Sequence, residues 1–322
     1  MSVAGLSSAA GPHDGAPPFS QDAKSLPRLD GRGIVVAQRR PRWGQVASSV
    51  VVVGLLAAFV WTLAVNDNMH WNIVGKYLFH PQILKGVVST LQLSALAVAI
   101  ALVAGIVLAA MGQSKNPVLS SFAWFYIWLF RALPLLVQLV LWFNLALIFP
   151  ELGIGIPGTS LYVGWNTNHV ITPFIAAILA LAMHEAAYMA EIVRGGILAV
   201  PHGQVEAALS IGMTRGEALR RIVLPQALRV IIPPIGNQFI MVLKASALVS
   251  VIGGGDLLTA AQNLYAISYE VIALLLVASI WYMAIISITS IAQYYLEKRL
   301  SRSERNGAGG VQPTWLTAET EV

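Results

Sequence analysis

Apolar residues run along this chain in long unbroken blocks, unlike the alternation of a half-buried strand or the single stripe of a surface helix. The first block, residues 46–65, has twenty residues, enough for about 30 Å of helix. A second, 86–111, carries no Asp, Glu, Lys or Arg. Residues 113–116 make the next loop. Residues 122–130 are apolar and aromatic, but Arg131 and Pro134 interrupt them. The pattern predicts an interfacial helix there, leading into a third span at 133–149 with Pro134 in its first turn, where a missing N–H is harmless. Residues 150–168, with their Gly, Pro, Asn and Thr, are expected as an external loop. Further spans are expected at 169–192, at 235–252 behind Pro233 and Pro234, and at 271–296. Six helices across a membrane make an all-α, polytopic fold.

One stretch does not belong inside hydrocarbon. Residues 206–225 read EAALSIGMTRGEALRRIVLP. Val205, Ala208, Leu209 and Gly212 fall at i, i+3, i+4 and i+7, a short amphipathic helix that Gly212 is placed to stop. Thr214 followed by Glu217 is a capping-box spacing, so a second helix is expected to start there, run through Ala218, Leu219 and Ile222, and end at Pro225. Two short helices then meet at a tight turn. Small Ala207, Ala208 and Gly212 leave room for a partner's backbone, with Glu206, Arg215, Arg220 and Arg221 at the rim.

Composition agrees with the span pattern. Of 322 residues 57% are hydrophobic and 11% charged, and the mean hydropathy of +0.70 lies outside the soluble range. The net charge of +5 is read as orientation rather than nucleic-acid affinity. All 20 Lys and Arg except Lys76, Lys85 and Lys244 fall on parts that a six-span topology puts inside, which places both termini in the cytoplasm. Residues 1–45, rich in Gly, Pro, Ser and Ala, are expected as a disordered basic tail. The length of that tail and of the block behind it argues against a cleaved signal peptide. With no cysteine, disulfides and thiolate metal sites are excluded.

The polar hairpin carries a resemblance. Glu206-Ala207-Ala208, three residues, Gly212, nine residues, Ile222, one residue, Leu224-Pro225 matches the EAA signature of the membrane subunits of bacterial ABC importers. Residues 84–300 resemble the polar amino-acid branch of that family. Arg131-Ala-Leu-Pro134-Leu-Leu-Val-Gln138 stands where the branch has an Arg-Gly-Thr-Pro-Leu-Leu run. Ala187-Tyr188, Glu191, Arg194-Gly195-Gly196, Gly203-Gln204, Leu224 to Arg229, Asn237 to Ile240 and Leu243-Lys244 continue it. Ala132, Leu133 and Ala245-Ser246-Ala247 depart from the pattern. The tail 1–45 and an extra helix with its loop, 46–83, lie outside the usual core, and 301–322 forms a second cytoplasmic tail.

This resemblance implies a type I importer permease of the bacterial inner membrane, taking up glutamate, glutamine, basic or similar polar amino acids. It implies a coupling hairpin at 203–225, with Glu206, Ala207, Ala208, Gly212, Arg215, Leu224 and Pro225 docking on a cytoplasmic ATPase dimer. A second permease copy or related chain and an extracytoplasmic solute-binding protein complete the implied assembly, with no nucleic acid. The chain itself is expected to bind no cofactor, ATP and Mg being held by the ATPase: no Gly-rich loop ends in Gly-Lys-Ser/Thr, and Gly75-Lys76 is followed by tyrosine.

Ionisable groups within apolar spans are functional candidates. Lys244, tenth of the eighteen residues expected in the fifth span, and Glu185 either pair with each other inside the bundle or line a translocation path with Tyr188, Gln138 and Asn237. Glu191 and Arg194, three apart, read as a helix-end ion pair. His184-Glu185-Ala-Ala-Tyr188 resembles a zinc-protease helix but has tyrosine where the second histidine is required, so metal chemistry is not expected. A proton- or sodium-coupled secondary transporter would share the six spans but needs no docking hairpin. An intramembrane hydrolase needs an activated nucleophile, and none is legible.

Overall fold

The computed structural model of the chain describes residues 43–155 and 161–307. Nearly all of the expected N-terminal tail, and 308–322 of the expected C-terminal one, lie outside the described residues. The chain divides into two units at Val65. The first contributes one described helix, α1 (Trp43–Val65), on which no described side chain is buried. Apolar surface of that length on every side matches the thickness of a bilayer's hydrocarbon.

The second unit opens with α2 (Trp71–Leu78) and α3 (Pro81–Gly112). The expected second span began at residue 86, but His80 accepts from the Gln82 N–H and Pro81 fills the first helical position, a start signal that lengthens the helix outward. Asn116 then caps α4 (Pro117–Ala132), and α5 (Leu135–Phe143) follows at a bend of 101°. The break falls where Arg131 and Pro134 are expected to interrupt the chain, but the helix behind it has nine residues, shorter than the expected span at 133–149. Pro134 forbids helical geometry at the residue before it, and Leu133 is extended at ψ 130°; Pro134 itself stands outside α5 as its N-cap, not in its first turn.

The expected loop at 150–168 contains two antiparallel strands, β1 (Glu151–Ile154) and β2 (Val163–Asn166), with Glu151 opposite Asn166. It closes with α6 (Thr167–Val170), whose Thr167 hydroxyl donates to the Phe149 carbonyl. The all-α expectation needs this one addition, because four-residue strands inside a polar loop give no periodic signal. Next comes α7 (Pro173–Leu198), shifted from the expected 169–192 because Thr172 and Pro173 form a cap and first position.

The hairpin follows as α8 (His202–Ser210) and α9 (Arg215–Ala218), then one π-helical turn (Leu219–Val223) and α10 (Leu224–Ala245). The second arm does not end at Pro225 as expected, nor does a new span begin after Pro234. The wide π turn lies directly before Pro225 and relieves the clash and lost bond that proline imposes on a regular α-turn, so the helix continues. A 3-10 segment (Ser246–Ile252) and a glycine turn lead to α11 (Leu257–Ser268), capped by Asp256, and α12 (Val271–Gly307) ends the described chain. Helix α11 falls between the spans expected at 235–252 and 271–296, where no element is expected. Among the described residues five helices are long and apolar enough to cross a membrane, or six if the bent α4–α5 pair counts as one span.

Close helix approach rests on small residues. Ala97, Ala101 and Gly105 share one face of α3, and Ala180, Ala186, Ala187 and Ala190 of α7 are likewise buried. At Gly105 an added Cβ would stand 2.5 Å from the Met189 Cβ and 2.9 Å from the Ala190 nitrogen. Small side chains of this kind let membrane helices gain contact without a hydrophobic driving force. Gly86 repeats the device against Leu257 and Ala260 of α11, and the Thr90 hydroxyl accepts the Leu257 N–H at 2.9 Å. The Trp281 indole of α12 donates to the Leu78 carbonyl at 2.7 Å, holding α2.

Candidate functional site

The hairpin is built from two complete capping devices. Gly212 stands at φ +86°, the Met213 N–H reaches the Ala208 carbonyl at 3.1 Å and the Gly212 N–H reaches Leu209 at 3.0 Å, the paired bonds that close a helix on a left-handed glycine. One residue on, the Thr214 N–H donates to Glu217 Oε2 at 2.9 Å while the Glu217 N–H donates back to the Thr214 hydroxyl at 3.3 Å, the expected capping box. Both arms therefore satisfy their own ends, and the turn needs no support from elsewhere.

Of the predicted coupling residues, Glu206, Ala207, Gly212, Arg215, Leu224 and Pro225 are exposed. Nothing lies within 4 Å of a Cβ added at Gly212. Arg215 lines a cleft between the arms with Val205, Leu209 and Leu219. Ala208 departs from expectation: at 4% exposure it packs against its own chain and offers a partner no surface. At the base, Val193 and Val200 share an apolar core with Val223, Ala227 and Ile231 of the other arm and α10. Gly196 allows Ile231 to lie directly against α7.

A second group of polar residues lies around the middle of α7. Glu185, 4% exposed, accepts from the Gln238 side-chain amide of α10 at 2.9 Å. One residue earlier, His184 Nδ1 lies 3.0 Å from the Gln138 amide nitrogen. Gln138, 2% exposed, turns that nitrogen into the α4–α5 break, 3.0 Å from the Phe130 carbonyl and 2.9 Å from the Leu133 carbonyl. A helix end leaves its last carbonyls unpaired, and in hydrocarbon such groups need internal partners. One buried amide thus supplies donors to carbonyls on both sides of the break, while its own oxygen is left without a partner among the described residues. Tyr188, a turn beyond His184, has its ring 5.2 Å from the histidine ring and 5.2 Å from the Arg131 guanidinium carbon above its face.

Glu185, Tyr188 and Gln138 are therefore gathered on or against α7, whereas Asn237 and Lys244 stand exposed on α10. No ion pair joins Lys244 to Glu185; the buried carboxylate is held by Gln238 instead. Lys244 occupies the last turn of α10, and the chain continues from it through the 3-10 segment to Ile252. Glu191 and Arg194 form the expected helix-end pair at 2.6 Å. Gln238 carries no signal of its own in the sequence, because a neutral amide does not stand out in a polar motif. Its one available signal was the spacing of fifty-three residues to Glu185, which acquires meaning only when two helices are known to touch.

Residues 101–302 match the sequence family described as binding-protein-dependent transport system inner membrane component. The arginine transport system permease protein ArgU of Corynebacterium glutamicum is 38% identical over 260 residues, covering 80% of this chain and 81% of that one. The probable amino-acid ABC transporter permease protein PatM of Vibrio harveyi is 34% identical over 224 residues, 69% of this chain and 93% of that one. Among solved structures, the crystal structure of an amino acid ABC transporter with histidines is similar at a TM-score of 0.61 and 35% identity, over 70% of this chain and 98% of that chain.

Proposed function

The chain belongs to the family of binding-protein-dependent transport system inner membrane components, and from that premise we propose a division of labour among its residues. It is a multi-pass inner-membrane permease of an ABC importer for polar amino acids, with no ATPase activity of its own, rather than a proton- or sodium-coupled carrier. The observation that carries the proposal is continuity. The exposed, self-capped hairpin runs without a helix end into α10, and α10 holds the buried Glu185 through Gln238.

Glu206, Ala207, Gly212, Arg215, Leu224 and Pro225 dock on the ATPase, Ala208 keeps the first arm seated on the permease, and Gly212 allows close approach. A dimeric ATPase presents two docking grooves, so two permease chains, identical or related, assemble about a two-fold axis. ATP and Mg are held by the ATPase, and a solute-binding protein delivers the amino acid from outside. Glu185, Gln138, Tyr188, Asn237 and Lys244 line the translocation path, where Glu185 faces the ammonium or cationic side chain of the passing amino acid and a cation such as Lys244 its carboxylate. Both termini lie in the cytoplasm, a reading supported by the distribution of Lys and Arg.

The test uses the absence of cysteine. Ser210→Cys on α8 is expected to react with an impermeant thiol reagent only after the membrane is opened. Val163→Cys on β2, or Ser160→Cys, which lies outside the described residues, is expected to react from outside. The reverse pattern would invert the topology and remove the hairpin from the ATPase. In proteoliposomes containing the permease, its ATPase and its binding protein, ATP-dependent uptake of L-arginine or L-glutamine is expected, and uptake driven by an ion gradient without ATP would overturn the reading.

A further inference from the structure

The π turn at Leu219–Val223 is the weak point of the lever just described. A turn closed from i to i+5 is wider and less well bonded than an α-turn, and such turns are where helices bend. If the ATPase moved the hairpin and the chain flexed there, displacement would be absorbed before reaching Gln238, which lies twelve residues beyond Gln226, or about 18 Å along a helix.

One pair of side chains spans that point. The Gln226 amide on α10 donates to the Gln204 side-chain oxygen on α8, and the same nitrogen lies 2.9 Å from the Ile222 carbonyl inside the π turn. The bond therefore joins the first arm to the helix beyond the soft turn and occupies one of the turn's own carbonyls. Beneath it lies the apolar core of Val193, Val200, Val223, Ala227 and Ile231. That core ties the π turn and α10 to α7 but reaches the first arm only through the half-buried Val205, so the amide pair is the directional bond between the two sides. The paired amides fix the angle.

We infer that Gln204 and Gln226 are positioning residues for coupling: their clasp makes α8, the π turn and α10 move as one body, so that displacement of the hairpin reaches the Glu185–Gln238 bond. This rests on the reading that the hairpin docks on an ATPase, and co-purification of the wild-type permease with the ATPase tests that reading separately.

The experiment uses the full importer in proteoliposomes and measures L-arginine taken up per ATP hydrolysed. Gln204→Ala and Gln226→Ala are each expected to keep the ATPase bound and to hydrolyse ATP within about twofold of wild type, while the ratio falls at least about fivefold. The double variant Gln204→Cys/Gln226→Cys, bridged by a short bifunctional methanethiosulfonate linker that spans the length of the two lost amides, is expected to restore the wild-type ratio and to fall to the alanine level when reductant cuts the linker, with wild type under the same reagents as control; a direct disulfide is too short for two residues that meet only at the ends of long side chains. Because linked and cut forms are one folded molecule, that comparison stands even where an alanine variant is poorly made. An unchanged ratio in both alanine variants overturns the inference. So does a linked clasp that hydrolyses ATP but moves no amino acid, since the arms would then have to separate during the cycle.

Discussion

The side-chain amide of Gln238 donates to Glu185 Oε2 at 2.9 Å, joining α10 to the middle of α7 through a carboxylate with no ion pair among the described residues. A buried carboxylate held only by a neutral amide is an expensive arrangement for a structural role, because desolvating the charge outweighs one hydrogen bond unless something else compensates it. It suits a residue whose cationic partner arrives with the cargo.

Glu185→Gln keeps the shape and leaves Gln238 an acceptor. The variant is expected to reach the membrane and assemble at wild-type levels while uptake falls tenfold or more, equivalent to about 1.4 kcal/mol of lost transition-state stabilisation. Lys244→Met, having no pair with Glu185 to break, is expected to assemble without help, so that an uptake defect reports contact along the path. A Lys244→Met variant that fails to assemble and is rescued by Glu185→Gln would show instead that the two charges depend on one another. Unchanged uptake in the single variant removes Lys244 from the path.

Gly212→Asp separates docking from folding. The left-handed backbone at φ +86° is strained for any side chain by about 1–2 kcal/mol, least for Asp and Asn. The open space around the position means that the new side chain meets nothing in this chain. Insertion is therefore expected to survive while substrate-stimulated ATP hydrolysis is lost. Gly212→Asn, equally tolerant of the backbone but uncharged, is expected to fall between. Normal stimulated hydrolysis in Gly212→Asp would exclude the docking role of the turn.

Gly105→Ala and Gly112→Ala lie on the same helix but are expected to differ in sign. At Gly105 the methyl would press on Met189 and on the backbone of Ala190, so α3 and α7 must move apart at a cost of about 1–3 kcal/mol. At Gly112 the nearest atom is 3.9 Å away, and removing glycine from a helix is then neutral or stabilising. Thermal inactivation of the detergent-solubilised protein measures both. Equal midpoints would mean that the α3–α7 approach is looser than described.

Features that depend on composition and on neighbours along the chain are legible without a fold. Long apolar blocks must be covered by lipid or by each other, so membrane spans were legible, and Gly212, Thr214 and Glu217 wrote their turn and cap because those devices are completed within six residues. Tertiary structure decided what depends on groups far apart. Leu133 and Pro134 announce an interruption, but the 101° bend and the turn of Gln138 back onto the Phe130 and Leu133 carbonyls appear only in three dimensions. Pro225 read as a terminus, since a proline costs an α-helix a bond and a clash, yet the π turn before it removes the reason to end. Lys244 and Glu185 read as a pair because charges in hydrocarbon seek partners, but which residues face one another is set by helix rotation and starting point. The packing of α10 on α7, as where Gly196 admits Ile231, turns Gln238 and not Lys244 toward the carboxylate, and no pattern along the chain carries that angle.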